Sequence, residues 1–159
     1  MHKKLIVFIC ILFLAGSLPV CSKAQNPTTP DYNLESIRSI TYLKNGDCLV
    51  EFMPKIVTEQ RDSVIGQKSY YYKNSDGVIR WTATLTGTFT YNGSTATCTA
   101  ASCETSVQSG NWSETYNHAY PSGNKAQADV TMVRKVLFIT VQTETAHLIL
   151  TCNGNGNLS

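Results

Sequence analysis

The sequence predicts an all-β fold, an antiparallel β-sandwich or open barrel, and three observations support that class. Apolar and polar residues alternate over long stretches, turn signals recur between them, and no long segment has a helical period. Residues 81–91 alternate most clearly, because every even position is threonine and the odd positions are Trp, Ala, Leu, Gly, Phe and Tyr. Successive side chains of a strand point to opposite faces, so this strand has an apolar face and a threonine face.

Residues 70–98 are the predicted centre of the sheet. Asn74-Ser75-Asp76-Gly77 precedes the long strand and Asn92-Gly93 follows it, and both are hairpin-turn signals. We therefore expect a three-stranded meander, with a bulge or bend at Gly87. Its apolar face requires a second layer, which the rest of the chain must supply.

The segments before this meander are shorter. Leu34, Ile37 and Ile40 have the spacing of one or two helical turns, although a strand that begins at Ser39 fits equally well. A hairpin turn at residues 44–47 leads into the next predicted strand.

That strand covers residues 48–53, and Pro54 ends it or places it at a sheet edge. The charged residues Glu59, Arg61 and Asp62 indicate a solvated loop before the central meander.

Further strands are predicted after the meander. Residues 104–108 have strand character, and residues 111–119 form a strand with Trp112 and Tyr116 on one parity.

Residues 121–124 predict a turn, and residues 125–133 alternate as a strand. Arg134-Lys135 is the predicted top of a hairpin, followed by a return strand over residues 137–152. The apolar positions of that strand change parity along its length, which predicts a bulge near Thr145.

The N-terminus has the order of parts of a secretory signal peptide. His2-Lys3-Lys4 precedes an uncharged apolar run at residues 5–14, which is too short to span a bilayer comfortably. Small residues within Ser22-Lys23-Ala24 favour cleavage after Ala24. Residues 1–24 are therefore the predicted signal peptide.

An alternative is a lipoprotein cut before Cys21, which Val20 disfavours because a small residue is normally needed there. We expect a secreted, extracellular protein with a linker at residues 25–33 and one β domain at residues 34–159. No integral membrane segment is expected after cleavage.

Removal of the signal peptide changes the charge of the chain. Lys3, Lys4 and Lys23 are three of the 13 basic residues, and none of the 11 acidic residues precedes position 25, so the formal charge falls from +2 to −1. The basic pI therefore reflects targeting, and we expect no nucleic-acid partner. The mature chain is long enough to bury about two thirds of its unfolded surface.

Four cysteines remain in the mature chain: Cys48, Cys98, Cys103 and Cys152. An even number in an exported chain predicts two disulfides, with three possible connectivities. The sequence has no Cys-x-x-Cys and no histidine at metal-ligand spacing from a cysteine, so we expect neither a metal site nor a cofactor.

Several motifs lie within residues 42–159. The most specific is Gly87-Thr88-Phe89-Thr90-Tyr91-Asn92-Gly93, with Tyr72-Lys73-Asn74-Ser75-Asp76-Gly77 before it and Leu150-Thr151-Cys152 near the end. In these motifs the chain resembles a family of small secreted proteins from Gram-positive bacteria, a domain of unknown function. The resemblance supplies no catalytic residues.

The same resemblance implies a Cys98–Cys152 bridge, because the family pattern carries those two cysteines. Cys48 and Cys103 remain as the second predicted pair.

Two surfaces are candidate binding sites. Thr84, Thr86 and Thr88 offer a flat row of hydroxyls for a repeating surface such as a glycan or ice, although threonine is also a good filler for the exposed side of a strand.

Exposed aromatic rings stack on sugar faces, and Tyr71 together with Trp112 or Tyr120 are the candidates for such a platform. The alternative for them is structural packing with a satisfied hydroxyl or N–H.

Features of catalysis are sparse in the mature chain. It has two histidines, His118 and His147, and lacks both a Gly-x-Ser-x-Gly elbow and a His-Glu-x-x-His motif. A hydrolase would need a cleft that brings one of these histidines against a carboxylate.

We therefore expect a non-catalytic extracellular binding module for a polysaccharide or another cell-envelope component. The alternative is a structural protein that assembles through sheet edges. The oligomeric state is left open.

Overall fold

The computed structural model describes residues 36–108 and 110–159, and this part of the chain is all-β, which confirms the predicted class. Its strands are β1 (Ile37–Tyr42), β2 (Cys48–Phe52), β3 (Lys55–Gln60), β4 (Ser63–Lys73), β5 (Ile79–Tyr91), β6 (Ala96–Val107), β7 (Trp112–Ser122), β8 (Lys125–Val136) and β9 (Ile139–Thr151). They form two antiparallel sheets in a sandwich-like arrangement. The predicted signal peptide, Cys21 and the linker at residues 25–33 lie outside the described residues.

The larger sheet has six strands and the smaller sheet has three. The larger sheet has the order β1-β2-β4-β5-β6. β3 pairs with the same edge of β4 as β2 does, farther along that strand. Pro54 separates the two strands on this edge, since it has no backbone N–H to donate. The smaller sheet has the order β7-β8-β9.

The main core lies between the two sheets. Its buried side chains include Val64, Tyr72, Trp81, Ala83, Leu85, Phe89, Ala126, Ala128, Val130, Met132, Ala146, Leu148 and Leu150. Every second residue of β4 and β5 points into this core, as the alternation predicted.

Gly87 lies where the two sheets approach closely. A Cβ atom there would come within 2.8 Å of the Ala126 Cβ and 2.6 Å of the Phe89 ring, so only glycine fits without a shift. Pairing between β4 and β5 stays in register at Gly87. The glycine therefore serves this close approach, and the bulge nearest to it is on β6, where Thr99 is an extra residue opposite Thr88 and Phe89.

A buried lysine links the sheets on one side of the core. Lys68 is 4% exposed, and its Nζ lies 2.6 Å from Glu51 Oε1 on β2 and donates to the Ile149 carbonyl on β9 at 2.8 Å. Ser39 Oγ donates to the other Glu51 oxygen at 2.9 Å. One charged group therefore holds strands from both sheets.

One prediction for the first half of the chain needs correction, and one open alternative is decided. The predicted loop around Glu59 is strand, because β3 and β4 form a hairpin with Arg61 and Asp62 as its two-residue loop. Of the two alternatives for the segment before β2, the structure has the strand, since Ile37 and Ile40 both lie in β1, which begins two residues before Ser39. Local periodicity over so few residues does not decide between helix and strand.

The β8–β9 hairpin turns three residues later than predicted. Val136 pairs with Ile139, so the loop consists of Leu137 and Phe138, with φ values of 47° and 68°. Two positive φ values define a type I′ turn, which normally contains Asn and Gly. Bulky residues in this conformation are strained.

The bulge predicted near Thr145 lies instead at Val141, between the pairs Arg134–Gln142 and Lys135–Thr140. Val141 is apolar but exposed, so the parity change inferred from it was misleading.

Relief of the backbone strain at Leu137 and Phe138 gives the first testable expectation. The Leu137→Asn/Phe138→Gly variant should raise the free energy of unfolding by about 1 to 2 kcal/mol, because Asn and Gly adopt positive φ more readily. Urea unfolding followed by circular dichroism measures the change. Val57→Asn, at an exposed apolar position in β3, serves as the control and should give no increase. A double variant no more stable than the wild type would contradict the strain.

The link around Lys68 gives an expected dependence on pH. Burial alone would raise the pKa of Glu51, but hydrogen bonds from Lys68 and Ser39 and the Lys68 charge lower it below 4.5. A carboxylate with a lowered folded-state pKa stabilises the fold above its unfolded pKa, and this contribution disappears as the pH falls through the folded-state value. Stability should therefore decrease on acidification below about pH 5.

Unfolding free energies measured across this pH range test the assignment. Glu51→Gln should flatten the pH dependence, whereas Glu59→Gln, at an exposed position on β3, should retain it. Equal slopes in the wild type and Glu51→Gln would contradict the role given to Glu51.

Candidate functional site

The outer face of the smaller sheet carries three ring side chains in a row along β7. Tyr116, His118 and Tyr120 occupy alternate positions, so they share one face of the strand. The ring centroids are 6.3 Å apart for Tyr116 and His118 and 5.2 Å apart for His118 and Tyr120. Tyr116 is 51% exposed. We call these three residues the ring row.

Polar side chains on β8 and β9 extend this face beside the ring row. The cross-strand sets are Tyr116–Thr131–Thr145, His118–Asp129–His147 and Tyr120–Gln127–Ile149. His147 Nδ1 lies 2.6 Å from Asp129 Oδ1, and the hydroxyls of Thr131 and Thr145 are 3.3 Å apart. The face therefore combines rings with hydrogen-bond donors and acceptors in a flat array.

The predicted aromatic candidates lie on three different parts of the molecule. Tyr120 belongs to the ring row, whereas Trp112 is 8% exposed and packs in the core, 5.0 Å from the Tyr72 ring. Tyr71 lies on the outer face of the larger sheet, with its ring 4.6 Å from that of Phe52. Tyr71, Trp112 and Tyr120 therefore do not form the single platform that was predicted.

A bulge explains why the predicted parity of β7 is wrong. The register shifts between Glu114 and Tyr116, so Thr115 is an extra residue, and Trp112 and Tyr116 face opposite sides. The shift turns Tyr116, His118 and Tyr120 outward together. The i, i+2, i+4 spacing of the ring row is visible in the sequence. Which face of β7 points outward is not.

The threonine face lies at the centre of the larger sheet. Thr84, Thr86 and Thr88 are half-buried between β4 and β6. The Thr84 hydroxyl is 3.0 Å from Ser69 Oγ, and Thr86 Oγ1 accepts a hydrogen bond from Gln67 Nε2 at 3.1 Å. Cross-strand hydrogen bonds therefore occupy part of this hydroxyl row.

The Asp129–His147 pair is the contact that a histidine-dependent hydrolase would need. Both residues lie on an open sheet face, and the His147 side chain is exposed. General acid–base catalysis works best where the site orients the substrate and limits water. This geometry suits binding better than catalysis.

A polar cleft of about 210 Å³ opens at one end of the sandwich. Its lining residues are Asp47, Tyr72, Asn74, Ser75, Arg80, Trp112, Arg134 and Gln142. The Asp47 carboxylate accepts hydrogen bonds from the Tyr72 hydroxyl, from the Ser75 amide at 2.9 Å and from Gln142 Nε2 at 3.3 Å. Burial and the bond to Asp47 raise the pKa of Tyr72, so this phenol stays protonated.

The structure places Cys98 and Cys152 together in the core. Their backbone amides donate to the carbonyls of the adjacent residues Gly123 and Asn124, at 2.7 and 3.0 Å. Both are free thiols here. Burial, with the nearby Cys152 thiol, raises the pKa of Cys98.

Cys48 and Cys103 are far apart. Cys48 on β2 faces the outer cluster with Phe52, whereas Cys103 on β6 faces the main core opposite Leu85. β4 and β5 lie between them, so three strand spacings of about 4.8 Å separate the two cysteines. A disulfide requires Cα atoms within about 7 Å, so the predicted Cys48–Cys103 pair does not fit this fold.

Comparisons with protein-family models, with curated proteins and with solved structures found no match to the chain. The resemblance to a secreted bacterial family stays a prediction. Over residues 36–108 and 110–159, no helix is long and apolar enough to cross a membrane. The same residues contain no group of three or more His, Cys, Asp or Glu side chains suited to a metal ion.

Proposed function

We propose that the protein is a secreted, non-catalytic module that binds polysaccharide through the outer face of its smaller sheet. The observation that carries this proposal is the ring row of β7 beside the polar side chains of β8 and β9. Sugar rings have apolar faces that pack on aromatic rings and hydroxyl edges that need hydrogen-bond partners. Bacterial cell-envelope polysaccharides are the class of ligand to test first.

The arrangement favours an extended ligand over a small one. The ring row follows the strand, and its three rings span two intervals of 6.3 and 5.2 Å. Asp129 and Gln127 lie directly beside the rings, where they can accept from or donate to hydroxyl groups. A polysaccharide that lies along β7 would contact both sets.

Retention of the purified protein on a panel of bacterial and host polysaccharides tests this proposal. Tyr116→Ala should weaken binding about threefold to tenfold, because an aromatic contact contributes about 0.5 to 1.5 kcal/mol beyond its buried area. Thr86→Val, on the outer face of the larger sheet, is the matched control and should bind like the wild type.

The pattern of losses decides between surfaces. A loss in Thr86→Val and not in Tyr116→Ala would move the site to the threonine face and contradict the proposal. No retention on any polysaccharide, with oligomers that grow with concentration, would favour the assembly alternative.

We further propose that a disulfide-bonded thiol oxidant met on export accepts the two electrons and two protons of Cys98 and Cys152 by exchange, which joins them as a disulfide, and that Cys103 stays a thiol. The first pair shares the core, whereas burial and the nearby Glu114 and Glu104 charges raise the pKa of Cys103 to about 11. Once Cys98 and Cys152 are joined, the remaining cysteine is Cys48, which lies three strands from Cys103 on the opposite face of the sheet, so Cys103 has no partner within bonding distance.

Mass spectrometry of a non-reduced digest tests the bridge, with a Cys98–Cys152 peptide pair as the expected product. A bridge over this span would stabilise the fold by about 4 kcal/mol in the chain-entropy account. Cys98→Ala should lower stability accordingly, whereas Cys103→Ala should not abolish the bridge. A peptide pair joining Cys48 to Cys103 would contradict the strand topology.

A further inference from the structure

The β8–β9 hairpin ends in a protruding apolar tip, which consists of Val136, Leu137, Phe138 and Ile139. The last three side chains are 84%, 98% and 68% exposed. None of the four belongs to either hydrophobic cluster of the described residues. The hairpin thus presents a group of large apolar side chains to solvent.

The turn geometry does not call for these residues. Leu137 and Phe138 both have positive φ, a conformation in which Asn-Gly is strongly favoured. The chain therefore carries bulky apolar residues where polar ones would fit with less strain. Backbone strain of this kind is a reason to look for a function at the position.

The end of the sandwich that bears the apolar tip is rich in cations. The basic residues there are Lys44, Lys73, Arg80, Arg134 and Lys135, and the acidic residues there are Asp47, Asp76, Glu114 and Glu144. This end is therefore net positive, although the mature chain carries a formal charge of −1. Arg134 and Lys135 directly precede the apolar tip and are exposed.

We propose that the apolar tip docks this end of the protein onto an anionic phospholipid surface. Arg134 lies three residues from the turn, or about 10 Å along the strand. Interfacial apolar groups enter a bilayer by about 5 to 10 Å. When Leu137 and Phe138 enter, Arg134 and Lys135 lie at the depth of the phosphate groups, which they attract.

The size of the tip favours a bilayer over a protein partner. A specific protein interface needs about 800 Å² from each partner, more than one two-residue turn and its flanks supply. Membrane attachment needs no minimum patch, because apolar burial and attraction to anionic lipid add together. The cations beside the apolar tip match the charge of such a surface.

Co-sedimentation of the full-length mature protein with vesicles tests the proposal. The probes are phosphatidylcholine vesicles with and without phosphatidylglycerol, at low and high salt. Binding should require phosphatidylglycerol and weaken with salt. Leu137→Asn/Phe138→Gly should weaken binding at least about tenfold, because two apolar side chains no longer enter the bilayer. This variant is expected to be more stable than the wild type, so unfolding would not explain the loss.

Charge variants separate the cations of this end from overall charge. Lys135→Gln should weaken binding about fivefold, since one basic residue near an anionic surface contributes about that factor. Lys125→Gln, at the first residue of β8 and so at the opposite end, removes the same charge and should leave binding unchanged. Equal losses in the two variants would overturn the docking orientation.

An inserted reporter provides an independent measurement. Phe138→Trp should show blue-shifted emission on vesicles containing phosphatidylglycerol and quenching by brominated lipid. The wild type, whose Trp81 and Trp112 are buried, gives the background emission for comparison. Unshifted emission with bound protein would overturn the proposal.

Other outcomes distinguish this proposal from polysaccharide binding and from self-association. Tyr116→Ala should bind vesicles normally, and Leu137→Asn/Phe138→Gly should bind polysaccharide normally, so either function can fail alone. Oligomers that disappear in Leu137→Asn/Phe138→Gly, together with no vesicle binding, would assign the tip to contact between copies and overturn membrane docking.

Discussion

The close approach of the two sheets at Gly87 and Ala126 is the constraint on which the rest of the fold depends. A Cβ at Gly87 would collide with both Ala126 and the Phe89 ring. Small residues at this point let the long alternating strands pack at van der Waals distance, and the large rings collect at one end, where Tyr72, Trp81 and Trp112 meet. The inward faces are thus fully used by packing, and recognition is left to the outer faces and the hairpin tips.

Much of the fold follows from period-two alternation, and the misplaced features follow from bulges. The sequence predicted the inward face of β5 and the small inward residues of β8. It did not predict the extra residues Thr115 and Val141, because a bulge depends on which partner strand lies opposite. One extra residue turns a side chain to the other face, which moved Trp112 into the core and left Tyr116 outside.

The sequence predicted the type of candidate site but not all of the residues that form it. An aromatic platform was expected, and Tyr120 belongs to the ring row. The register of β7 was needed to show that His118 lies on the same outward face. The apolar tip escaped prediction for another reason. Leu-Phe contradicts every preference for a two-residue turn, so the predicted turn was the basic pair Arg134-Lys135. Residues that break a local rule are often the ones to examine for function.

Lys68 has a consequence beyond the link between the sheets. β9 is the outer strand of its sheet, and such an edge can recruit strands from other chains into aggregates. Lys68 occupies the Ile149 carbonyl, and Ser159 exchanges two backbone hydrogen bonds of 2.9 Å with Thr151 on this strand. The buried ammonium group of Lys68 and the backbone of Ser159 therefore close part of the edge that would otherwise accept another strand. Loss of either contact would lengthen the open edge and favour aggregation of a protein that is still folded.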